Sequence, residues 1–77
     1  MQQKPRRLTY LSIGQAVQGL IVAAERSGNR LLTGHIVAIR EAPPRRHPRA
    51  RICTVKQANR LTFQESEDRL LVVVPED

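Results

Sequence analysis

"LSIGQAVQGLIVAAERSGN", residues 11–29, is the stretch whose conformation decides the fold. Its ends suit a helix: Ser12 and Gln15 stand at capping-box spacing, and Gly28 stands where a C-terminal cap belongs. Ile13, Val17, Leu20, Ile21 and Ala24 would then share one helical face. Against the helix, Gly14 and Gly19 fall in its interior, each costing about 1 kcal/mol relative to alanine. Val22 would also point away from the apolar face. As a strand, the segment uses Gly14 in a turn, runs extended over roughly 16–25 and turns back through "RSGN". The strand is the preferred reading, and a helix over 13–26 is the alternative.

Working outward, "LLTGHIVAI" (31–39) is rich in β-branched residues and bounded by turn chemistry, which predicts a strand. "ARICTVKQ" (50–57) alternates, with Ile52 and Thr54 on one face and Cys53 and Val55 on the other. "RLTFQES" (60–66) alternates too, placing Leu61 and Phe63 inward against Thr62 and Gln64. Ala58 and Asn59 between these segments predict a tight hairpin. "RLLVVV" (69–74) is a last strand ended by Pro75. Leu70, Val72 and Val74 can fill the core, which leaves Leu71 and Val73 facing the other way. A run apolar on both faces is covered twice or forms an interface, so Leu71 and Val73 are the candidate contacts of a homodimer. The expectation is a mainly β protein, a small five-stranded barrel over residues 8–75.

Seventy-seven residues make one domain, which buries only about 60–65% of its unfolded surface. Tyr10 and Phe63 are the only aromatics, so the core has to be aliphatic. Cys53 is the only cysteine, which rules out an intrachain disulfide and fits a reducing compartment. The longest apolar runs, 20–24 and 70–74, fall far short of a membrane span, and no apolar segment follows the basic N-terminus. A cytoplasmic protein without membrane contact is expected.

Net charge is +6, and its distribution is more telling. Residues 1–64 carry twelve Lys or Arg against Glu25 and Glu41, a net +10, while residues 65–77 carry a net −4. A basic body suggests an anionic partner, and nucleic acid is the commonest. The cations concentrate in "REAPPRRHPRAR" (40–51), whose loop, 42–49, is held extended by three prolines. Arg40, Arg45, Arg46, Arg49 and Arg51 there, with Lys4, Arg6 and Arg7 of a flexible arm (1–7), are the candidate phosphate contacts. Eleven of the thirteen cations are arginine, whose planar fork suits phosphate. Residues 76–77 form an acidic tail.

Ile13, Gly14, Gln15, Val17 and Gly19 resemble the opening of OB-fold RNA-binding barrels. Leu32, Gly34, Val37 and Ile39 resemble a strand of SH3-like barrels of the KOW and Tudor kind. The resemblance covers residues 12–40 and implies a small barrel of the sort found in RNA and transcription proteins, with glycines relieving a strongly bent strand. Two features depart from it. OB-fold RNA binders stack bases on several strand aromatics, which this chain lacks, and KOW loops carry more glycine than "ERSGNR".

No cofactor is expected, and no catalysis. His35, His47 and Cys53 have no metal-ligand spacing, Cys53 reads as a packed thiol, and the "SGN" turn is no phosphate loop. Two functions follow from the residues. One is a non-catalytic nucleic-acid binder, DNA or RNA, that grips backbone and therefore reads little sequence. The other is a protein-interaction adaptor or regulator of a larger nucleoprotein complex, acting through the last apolar strand.

Overall fold

A computed structural model describes residues 6–45 and 49–75. The described residues are mainly β, with six strands: β1 (Arg6–Tyr10), β2 (Ile21–Arg26), β3 (Arg30–Arg40), β4 (Ile52–Lys56), β5 (Thr62–Ser66) and β6 (Leu71–Pro75). A single 3₁₀ turn, Glu67–Arg69, links β5 to β6. All six strands lie in one antiparallel sheet of order β1-β6-β2-β3-β4-β5. Among the described residues no helix is long and apolar enough to cross a membrane.

The deciding stretch is extended, and its glycines say why. Gly14 and Gly19 have φ of +90° and +89°, which a right-handed helix cannot contain. They make two turns, so β2 begins at Ile21, later than expected. Before it, the Gly19 N–H donates to the Ile36 carbonyl at 2.7 Å and the Ile36 N–H donates to the Leu20 carbonyl at 3.0 Å, which ties the loop to β3. β2 and β3 then pair from Ile21↔His35 to Arg26↔Arg30, turning at Asn29, whose φ of 61° asparagine tolerates.

The sheet curls strongly. Val37 is an extra residue where the β3–β4 register shifts between Ile36 and Ala38, and such a bulge bends and twists its strand. In a flat sheet β2 and β5 would lie about 14 Å apart, three strand spacings. Yet the Arg26 guanidinium lies 4.8 Å from the centre of the Phe63 ring, 3.2 Å from the Glu65 carboxylate and 3.3 Å from the Gln64 carbonyl, all on β5. The curl does not complete a barrel, since β1 and β5 remain edges without a mutual ladder.

Inside the curl lies the aliphatic core: Leu11, Ala16, Val22, Ala24, Ile36, Cys53, Val55 and Leu70, with Leu20, Ile39, Phe63 and Val72 packed against it. Alternation along β4 was read correctly, with Cys53 and Val55 fully buried. Burying a side chain such as Leu70 contributes roughly 2 kcal/mol.

Four expectations need correction. There are six strands rather than five, because Arg6 and Arg7, assigned to a flexible arm, belong to β1 and pair with Pro75 and Val74. Leu61 is 63% exposed, because the hairpin loop is longer than two residues. Gln57 N–H donates to the Leu61 carbonyl at 2.8 Å around a three-residue loop, in which Arg60 takes a φ of 71°. Leu71 is only 7% exposed, since it lies opposite both Tyr10 and Ala23 within the monomer, while Val73 is 50% exposed. Closure into a barrel is not seen.

Candidate nucleic-acid interface

The connection between β3 and β4, residues 41–51, is the longest between neighbouring strands of the sheet that also follow one another in sequence. Arg40 ends β3, exposed, and donates through Nη2 to Gln64 Oε1 at 3.4 Å. Arg45 and Arg49 are exposed within the connection. Ala50 is buried and anchors its far end. Arg46 lies outside the described residues, as does Lys4. Arg7 is exposed on β1, which β6 and β2 separate from β3, so the structure does not bring it beside the connection. Arg6 shares that strand.

Arg51 has a different place from the other loop arginines. Its Nη2 donates to Glu67 Oε2 at 2.8 Å and to the Ala16 carbonyl at 2.8 Å, and its Nε donates to Glu67 Oε1 at 3.4 Å. Glu67 is fully buried and also accepts from the backbone N–H of Ala16 at 2.8 Å and of Arg51 at 3.2 Å. Its own N–H donates to the Arg51 carbonyl at 2.8 Å. One carboxylate therefore fastens three segments: the 11–20 loop, the end of the arginine connection and the 3₁₀ turn. The Arg51 guanidinium is spent on this clamp and leaves Arg40, Arg45 and Arg49 as the described cations that face outward from the stretch.

The electrostatics of the clamp follow from its contacts. Burial alone would raise the Glu67 carboxyl. Hydrogen bonds from the Arg51 guanidinium and from the N–H groups of Gly14, Ala16 and Arg51 outweigh it and bring the pKa down to about 2. The same hydrogen bond raises Arg51 above its ordinary value. A buried, fully hydrogen-bonded ion pair is satisfied but brittle, because loss of either partner strands the other.

Sequence reasoning did not single out Glu67, which counts there only as one charge of the acidic end, residues 65–77. A signal was present: Phe63 and Glu65 share the inward face of β5, and Glu67, two residues on, continues that parity as the first residue of the 3₁₀ turn. Glu65 is held there by Arg26, and Glu25 accepts from the Tyr10 hydroxyl at 3.1 Å. Three carboxylates are thus engaged within the protein, whereas Arg45 and Arg49 have no side-chain partner among the described residues.

Cys53 faces the core and His35 the opposite side of the sheet, so the two cannot act on one another. Burial pushes the Cys53 thiol up, away from the thiolate a nucleophile requires. Among the described residues no three His, Cys, Asp or Glu side chains gather as a metal site. In comparisons with known proteins, no family model, no curated protein and no solved structure matches this chain.

Proposed function

We propose that this chain is a non-catalytic, cytoplasmic nucleic-acid-binding protein that grips the phosphate backbone through Arg40, Arg45 and Arg49, joined by Arg46 of the same connection. The supporting observation is the pairing of charges: Glu25, Glu65 and Glu67 are engaged within the protein, while Arg45 and Arg49 stand exposed without a carboxylate partner among the described residues. Such cations release condensed counterions when they meet phosphate, which makes affinity fall steeply with salt. The curled sheet serves as a platform of the OB-like or SH3-like kind, with Arg51 locking the connection to it. Replacing Arg45 and Arg49 together by alanine should flatten the log–log salt dependence by about two units on duplex DNA. Fluorescence anisotropy over a salt series measures this. A protein that binds neither duplex nor single strand at about 50 mM salt disposes of the proposal.

A second reading, the protein-interaction adaptor or homodimer, draws on one observation. Leu8 and Val73 lie directly opposite on β1 and β6, both roughly half exposed, with Tyr10 and Ile21 exposed on the same face. Val73→Glu should then disrupt self-association while the fold persists. Leu71 is no longer a suitable probe, because a charge there would be buried. Light scattering that finds only monomer at tens of micromolar removes the homodimer.

A further inference from the structure

The outward face of the sheet divides into two halves of different chemistry. Register fixes which side chains share it: His35, Lys56 and Thr62 form one cross-strand row, Ala38, Thr54 and Gln64 the next, and Arg40, Ile52 and Ser66 the third. The inward positions between them are Ile36, Val55 and Phe63, then Ile39, Cys53 and Glu65. No carboxylate occupies the three outward rows. Glu65, on the same strand, points inward, where Arg26 holds it at 3.2 Å, and Glu41 follows Arg40 just beyond the end of β3, exposed. Beyond β3, the half formed by β2, β6 and β1 is apolar and carries Glu25. His35, Lys56, Thr62 and Gln64 are exposed and Thr54 half so, while in the third row Arg40 is exposed and Ile52 and Ser66 are buried.

We infer that the phosphate track continues from the arginine connection over the outward face of β3, β4 and β5 as far as Lys56, so that a nucleic-acid backbone lies across the sheet rather than touching the loop alone. The inference rests on the function proposed above and names further contacts for that partner. Charge complementarity selects the occupant. Arg40 sits opposite Ile52, four residues along β4 from Lys56, which is about 13 Å. That is the axial rise of about four nucleotides of one strand. Between the two cations stand Thr54 and Gln64, with Thr62 beside Lys56, neutral donors of the kind that hold phosphate and sugar without reading bases. No Phe, Tyr or Trp side chain lies on these three rows, and His35 is their one ring, so the contact proposed is mainly with the backbone.

The test uses the full chain and a duplex of about 20 base pairs, long enough to cover the track. Lys56→Ala should reduce the salt slope by about one unit beyond what the loop variant removes. Lys56→Glu should weaken binding about tenfold at 50 mM salt, with an unchanged circular dichroism spectrum, since the side chain is exposed. Thr62→Glu, on the same row, should weaken binding in the same direction. If Lys56→Glu and Thr62→Glu both leave affinity unchanged while Arg45→Ala with Arg49→Ala abolishes it, the track ends at the loop and the inference fails alone. If a polyglutamate peptide displaces the duplex at equal charge, the face takes any polyanion, which overturns the nucleic-acid assignment of the track. If no nucleic acid binds the parent protein, the function proposed above falls with it.

Discussion

Replacing Glu67 by alanine should cost about 3–5 kcal/mol and lower the melting midpoint steeply. The cost has two parts. The Arg51 guanidinium loses its counter-charge in a confined position, and the N–H groups of Ala16 and Arg51 lose their acceptor. A domain of this length has a total stability of only about 4–12 kcal/mol, so one clamp is a large share of it. Since each kcal/mol moves the midpoint of so small a domain by about 4–8 °C, a fall of 15 °C or more is expected by circular dichroism. Glu67→Gln, which keeps an acceptor without the charge, should lie between the parent and alanine. A midpoint within about 4 °C of the parent for Glu67→Ala would show that the clamp is incidental.

The same residue sets the acid limb of stability. The folded carboxyl, at about 2, lies below its ordinary 4.5, so the native state favours the ionised form. The contribution, of order 3 kcal/mol, is therefore complete above pH 4.5 and is lost as the pH falls toward 2. Glu67→Gln should flatten stability across that window. If the variant and the parent lose stability in parallel between pH 4.5 and 2, other carboxylates carry the acid transition.

The second large effect is expected at Gly34. A methyl group there would stand 2.8 Å from Val55 Cγ1 and 2.8 Å from the Lys56 carbonyl carbon, and would meet the Lys56 carbonyl oxygen as well. These neighbours are mostly backbone, which cannot swing aside as a flexible side chain can. Gly34→Ala should therefore part the end of β4 from β3 at a cost of about 3 kcal/mol, the upper range for overpacking. Thr33→Ala, exposed on the adjacent outward position, should change stability by less than about 0.5 kcal/mol. Urea denaturation of both variants makes the comparison. Equal midpoints would mean that β3 and β4 can separate freely at this point. Because Lys56 ends β4, the same substitution should also displace the far end of the proposed phosphate track.

What the sequence determined on its own was local: alternation with period two in 52–56 and 62–66, the β-branched run of β3, and interior glycines that weigh against a helix at 13–26. These signals survive in a single segment because backbone conformation and the two-sided geometry of a strand act over a few residues. The outward placement of Arg40, Arg45 and Arg49 was legible for the same reason, since a proline-held basic connection has no apolar side to bury. Tertiary structure alone decided the rest. Whether Arg6 and Arg7 hang free or form β1 depends on β6, some 65 residues further along the chain. Whether Leu71 is exposed depends on its lying opposite Tyr10 and Ala23. Arg51 and Glu67 look in sequence like one more loop cation and one more surface acid. They become a buried pair only because the curl brings the 11–20 loop over the 3₁₀ turn, and a desolvated charge takes its value from neighbours that no local pattern can name.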